Sequence, residues 1–114
     1  MKVNVRKTKD VVIFDLRGKV TGDDGMQIQE WIADQIATSG TPKFLLNLAD
    51  VSMMDSIGLG ALVDAHCSAK GKGGRIGVIN VGKTIRNLLV ITRLIIVLEH
   101  FDSEVRAIES LSAA

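Results

Sequence analysis

The chain has 114 residues, 46 % of them apolar and 24 % charged, which supplies material for one cored domain and argues against disorder. Fourteen Lys and Arg face thirteen Asp and Glu, a formal charge of +1, and aromatics make up only 4 %. That balance excludes the strongly basic, aromatic-bearing surface of a dedicated nucleic-acid binder. The single cysteine, Cys67, excludes an internal disulfide and reads as a reduced thiol. His66 and His100 lie far apart in sequence, so neither a metal site nor a cofactor is expected. The first residues, Met1 to Lys7, alternate polar with apolar side chains and lack the apolar core of a signal peptide. The longest strongly apolar stretch, Leu94–Leu98, is far short of the about 20 residues that span a bilayer. These features predict a soluble, cytoplasmic protein.

Val3 and Val5 alternate with polar neighbours, as in a half-exposed strand, and Val11–Leu16 reads as a second, more buried one. The short polar break Thr8-Lys9-Asp10 makes the two a hairpin. Gly18 to Gly25 is expected as a polar loop, with Asp23 or Asp24 capping the helix that follows. Ile28, Trp31, Ile32 and Ile36 put one apolar face on that helix, and Gly40 with Thr41-Pro42 ends it. Phe44–Leu48 is a nearly continuous apolar run, the pattern of a strand covered on both faces.

Ala49–Asp55 is expected as a loop, and a second helix from about Ser56 to about Lys70 carries Leu59, Leu62, Val63 and His66 on neighbouring turns. Gly71, Gly73 and Gly74 end it. Arg75–Val81 reads as a third buried strand, Ile85, Leu88 and Leu89 mark a short helix, and Leu94–Leu98 reads as a last strand. Asp102 is expected to cap a final helix carrying Val105, Ile108 and Leu111. The alternation predicts an α/β fold of one domain over residues 1–114, with a mostly parallel central sheet, an antiparallel N-terminal hairpin and about four helices.

Sites in such sheets gather where parallel strands end and helices begin, because helix N-termini expose free N–H groups and partial positive charge. The loops Gly18–Asp24, Ala49–Ser56 and Asn80–Thr84 are expected at that edge, bringing Asp23, Asp24, Asp55, Ser56, Lys83 and Thr84. Ser56 stands where an N-cap belongs. Capping alone accounts for it; a second role for its hydroxyl is phosphorylation. A phosphoserine adds about −1.5 to −2 charge, which its own helix tolerates and a partner docked on a neutral surface does not.

Met54-Asp55-Ser56-Ile57-Gly58-Leu59-Gly60 resembles the Asp-Ser-Ser/Thr-Gly-Leu-Gly signature of STAS domains in bacterial anti-sigma-factor antagonists. The resemblance covers nearly the whole chain. Phe44–Val51 is similar to the family's strand before the signature, Gly73–Ile76 to the turn into its next strand, and Val81–Leu94 to the stretch leading through its third helix. It implies the STAS fold and a non-enzymatic partner switch. The unmodified protein would bind an anti-sigma factor that is also a serine kinase, phosphorylation of Ser56 would dissolve the complex, and a serine phosphatase would reset it. Asp55 would position Ser56, and Gly58 and Gly60 would let the partner backbone approach. The docking surface implied comprises Asp55, Ser56, Ile57, Gly58, Leu59 and Gly60, with Asp23, Asp24 and Lys83 at the same edge. The chain departs from the pattern at Ile57, where Ser or Thr is usual, and at Gly18-Lys19-Val20-Thr21, where Gly-Glu-Leu-Asp is common.

Two enzyme readings compete poorly. Gly77-Val78-Ile79-Asn80-Val81-Gly82-Lys83-Thr84 matches the phosphate-loop pattern by letter, but its middle residues are strand-like rather than an open loop. Ser56 lacks a nucleophile elbow, and His66 sits about 15 Å along the same helix. A binding alternative is a STAS subunit or scaffold of a transport or stress-signalling complex without a phosphorylation cycle.

Overall fold

The computed structural model describes residues 1–38 and 42–112. The helix stop expected at Gly40 and Thr41 lies outside them. Strands β1 (Lys2–Thr8) and β2 (Val11–Val20) form the antiparallel hairpin, turning through Lys9 in a left-handed conformation, φ 55°. Strands β3 (Lys43–Met54), β4 (Arg75–Ile79) and β5 (Glu99–Phe101) add in parallel, giving the sheet order β1-β2-β3-β4-β5. Helices α1 (Asp23–Thr38), α2 (Ser56–Gly71) and α3 (Lys83–Ile91) form the successive crossovers, and α4 (Glu104–Ser112) closes the chain. Each crossover steps the same way across the sheet, and right-handed connection therefore puts α1, α2 and α3 on one face.

The apolar run in β3 divides between two cores. Phe44, Leu46 and Leu48 face α1, α2 and α3, meeting Ile28, Ile32, Leu62 and Leu89. Leu45 faces the other way, joining Val11, Ile13 and Ile79 under Ala107, Ile108 and Leu111 of α4. The same face carries a polar clamp. Arg6 donates to Asp15 at 2.6 and 2.9 Å and to Glu104 at 2.6 and 3.3 Å, tying the hairpin to α4. Gly74 and Gly77 answer close approaches: a Cβ at Gly74 would lie 1.8 Å from the Pro42 carbonyl oxygen, and one at Gly77 would lie 2.5 Å from the Phe101 ring.

Several expected boundaries shift, each for a tertiary reason. β3 does not end at Leu48; it continues to Met54 because β2 runs alongside it, pairing Arg17 with Asp50 after one register shift and Val20 with Met54 after a second. The expected polar loop from Gly18 accordingly begins only after Val20. β4 stops at Ile79 instead of Val81, since Asn80 adopts a left-handed turn, φ 57°. Leu94–Leu98 is not a strand. Arg93, at φ 62°, breaks α3, and Leu94–Ile96 forms a 3₁₀ turn whose Leu94 carbonyl accepts the N–H groups of Val97 and Leu98. Leu94 and Ile95 cover the main core and Leu98 is buried in it, while the strand next to β4 is the following Glu99–Phe101. Ser103, not Asp102, caps α4, its Oγ accepting the Arg106 N–H at 3.2 Å. Among the described residues, no helix is long and apolar enough to cross a membrane.

Candidate functional site

Val20 of β2 and Met54 of β3 lie opposite each other, so α1 and α2 start side by side. Asp55 joins them. Its Oδ1 accepts the Gly58 N–H at 2.9 Å and its Oδ2 accepts the Gly22 N–H at 2.9 Å. The N-cap of α2 is therefore Asp55, and Ser56 is the first helical residue, which corrects the expected cap. The bonds from Gly58 and then Gly22 stabilise the charged carboxylate and hold its pKa below the ordinary value. Asp23 and Asp24 likewise lie inside the first turn of α1, where the Gly22 carbonyl accepts from Gly25 and Met26.

The two helix starts touch through glycine. A Cβ at Gly58 would lie 2.3 Å from the Val20 carbonyl oxygen, and one at Gly25 would lie 3.0 Å from the Gly58 nitrogen. Gly58 is thus buried inside the molecule, and its missing side chain admits β2 rather than an incoming chain. Leu59 is also buried and belongs to the core. Gly60 is different: nothing lies within 4 Å of the place its Cβ would occupy.

What this edge presents outward is Ser56 and Ile57, both exposed, with Met53 before them and Met26 one turn into α1. The Ser56 hydroxyl makes no hydrogen bond among the described residues, leaving it open to modification or contact. Asp23 and half-exposed Asp24 border the apolar side chains. Two adjoining helix N-termini favour negative charge there, and three carboxylates already supply it. Met26 and Met53 are unbranched and adapt to a partner's contour. Sequence reading singled out neither Met26 nor Met53 for this edge. The available signal was the spacing of Met26 from Asp23, which places it on the outer stripe of α1, opposite Ile28.

Lys83 stands apart from this group. β4 ends opposite Asn47, well short of Met54, so the start of α3 is not level with the starts of α1 and α2 along the sheet. α2 and α3 scarcely touch, and among the described residues Lys83 makes no hydrogen bond or ion pair with the Asp55–Gly60 turn. The letter match to a phosphate loop dissolves similarly: Gly77–Ile79 are hydrogen-bonded strand, and Gly82 directly precedes α3. A groove of about 510 Å³ opens on the α4 side of the sheet, lined by Lys2, Asn4, Asp15, Arg17, Asn47 and Asp50; none of the residues around Ser56 lines it.

Comparison with known proteins matches this arrangement to a family. The STAS domain profile covers residues 2–107. The chain is 27 % identical over 103 residues to the TM1081 homolog of Thermotoga neapolitana, named as a candidate anti-sigma factor antagonist, covering 90 % of this chain and 91 % of that one. It is 23 % identical over 111 residues to the anti-sigma F factor antagonist of Paenibacillus polymyxa, covering 97 % and 95 %. The fold superposes on the anti-sigma factor antagonist SpoIIAA in its unphosphorylated form with a TM-score of 0.78 at 21 % identity, over 99 % of this chain and 100 % of that one. For the phosphorylated form of SpoIIAA, from Bacillus, the TM-score is 0.75 at 22 % identity, over 96 % and 98 %. The five-stranded sheet with its antiparallel first pair and the four helices follow that fold, and the chain belongs to the STAS domain family.

Proposed function

We propose that this protein is an anti-sigma factor antagonist, acting in the cytoplasm. It binds an anti-sigma factor with serine-kinase activity through the surface around Ser56, and phosphorylation of Ser56 releases it. A serine phosphatase restores the binding form. The observation that carries the reading is the free, exposed hydroxyl of Ser56 at the first position of α2, bordered by Met26, Met53 and Ile57. The relatives named as anti-sigma factor antagonists, and the phosphorylated form known for SpoIIAA, support it.

The switch follows from charge. Unmodified, the surface offers apolar side chains that a partner can bury at roughly 25 cal/mol per Å². A phosphoryl group on Ser56 adds about −1.5 to −2 charge. It stands beside Asp55, and the first turn of α1 with Asp23 and Asp24 is packed on the same segment. Two helix N-termini lower the cost of that charge while it is hydrated. Burying it against a partner removes the water and forces like charges together. The domain need not refold for binding to fail.

The test has two arms. Phosphopeptide mass spectrometry of the tryptic fragment Phe44–Lys70, from cells in growth and under stress, reads the occupancy of Ser56. Titration with the co-purifying anti-sigma factor compares wild type with Ser56→Ala and Ser56→Glu. The expected result is phosphate on Ser56 that changes with condition, wild-type affinity for the alanine variant, and weakening of about tenfold or more for the glutamate. Equal affinity for all three proteins defeats the switch.

A further inference from the structure

The segment Val81–Leu98 holds three cations, Lys83, Arg86 and Arg93, and not one acid. Ile85 and Leu89 turn inward from α3, while Arg86, Val90 and Ile91 face out. Ile91 is 78 % exposed, and Ile96 in the following 3₁₀ turn is 83 % exposed. Among the described residues none of the three cations has an ion-pair partner. Aliphatic side chains standing in water between unpaired cations form a small apolar centre with a basic rim, the layout of a protein interface.

Helix α1 is its counterpart. It carries four acids, Asp23, Asp24, Glu30 and Asp34, and no cation. Its inner stripe is Ile28, Ile32 and Ile36. Its outer stripe, at the same helical spacing, runs Asp23, Met26, Glu30, Ala33 and Ala37, all exposed. Small or flexible apolar side chains thus lie between acids, and neither Glu30 nor Asp34 forms a side-chain ion pair among the described residues. A net charge of +1 conceals this separation. Both helices pack on the same face of the sheet, so both are presented to the same side of the molecule.

We propose that the outer face of α3 and the turn after it is a self-association surface whose occupant is α1 of a second copy of this chain. A two-fold axis satisfies both contacts at once: α1 of one protomer lies on α3 of the other, and the reverse. Ile91 and Ile96 are covered by Ala33, Ala37 and Met26, while Arg86 and Arg93 meet Glu30 and Asp34. Because Met26 is the apolar residue of the stripe nearest Ser56, self-association and docking of another protein beside Ser56 compete for it. The proposal itself does not depend on the function inferred for Ser56.

Sedimentation of the full chain without any partner tests it. The expected behaviour is a monomer–dimer equilibrium with Kd on the order of 100 µM, weakened several-fold at about 0.5 M salt. Arg86→Glu with Arg93→Glu gives a monomer, as does Glu30→Lys with Asp34→Lys. An equimolar mixture of the two double variants regains the dimer, because each reversed helix then meets its opposite; this recovery separates a lost contact from a lost fold. Monomers at every concentration, or a dimer indifferent to both reversals, overturn the proposal. So does a mixture that fails to recover. Binding of monomeric chain to phosphatidylserine vesicles, abolished by the arginine reversals, would assign the surface to anionic lipid instead.

Discussion

The Asp55 carboxylate accepts the backbone N–H of Gly22 at 2.9 Å, across the gap between two crossovers of the sheet. Its other oxygen caps its own helix at Gly58. One side chain therefore holds the starts of α1 and α2 together and sets where Ser56 and Met26 stand relative to each other. Asp55→Ala loses both bonds and Asp55→Asn keeps one acceptor for Gly58. Thermal unfolding should show Tm lowered by a few degrees for alanine and by less for asparagine. Affinity for the anti-sigma factor should fall in the same order.

The two glycines of the turn should respond oppositely to alanine. At Gly58 the added methyl would meet the Val20 carbonyl oxygen at 2.3 Å, and backbone cannot yield cheaply. Gly58→Ala should cost about 2 kcal/mol or more in urea denaturation. At Gly60 the space is open and the backbone helical, so Gly60→Ala should stabilise by roughly 0.5–1 kcal/mol. If anti-sigma binding survives Gly60→Ala, the partner does not need that backbone bare.

Arg93 holds φ at 62°, a conformation that glycine adopts without a Cβ penalty. Arg93→Gly should therefore stabilise the monomer by roughly 0.5–1 kcal/mol, read from the denaturation midpoint at unchanged slope. A loss of stability would mean that the arginine side chain contributes more than its backbone costs.

Acid should loosen the hairpin through Asp15. Hydrogen bonds from Arg6, and then from Asn47 at 2.8 Å, hold this carboxyl below its ordinary pKa. In the unfolded chain Asp titrates near about 3.9, so below that pH the unfolded state binds the proton more readily. The stabilisation is full above about pH 4 and is lost as pH falls through the folded value. Asp15→Asn should cost about 1–2 kcal/mol at neutral pH, and the difference from wild type should shrink towards about pH 3 in urea titrations. A constant difference across that range would place the effect in packing.

Local pattern was sufficient for the element types and their order where burial and conformation coincide. Ile28, Ile32 and Ile36 could only line one side of a helix, and the Phe44–Leu48 run could only be covered twice. The Asp55–Gly60 motif likewise gave the resemblance to the STAS family, which the profile match over residues 2–107 supports. Other features depended on partners distant in sequence. β3 reaches Met54 because β2 lies beside it to receive the hydrogen bonds. Leu94–Leu98 is as apolar as a strand, but apolarity calls for burial and not for a conformation; with Arg93 turned left-handed, a 3₁₀ cover buries Leu98 as well. Asp55 displaces Ser56 as the cap because it can also reach Gly22, a donor 33 residues away. Met26 stands near Ile57 for the same reason: Gly25 and Gly58 let two helices meet at their backbones, a contact that no spacing along the chain encodes.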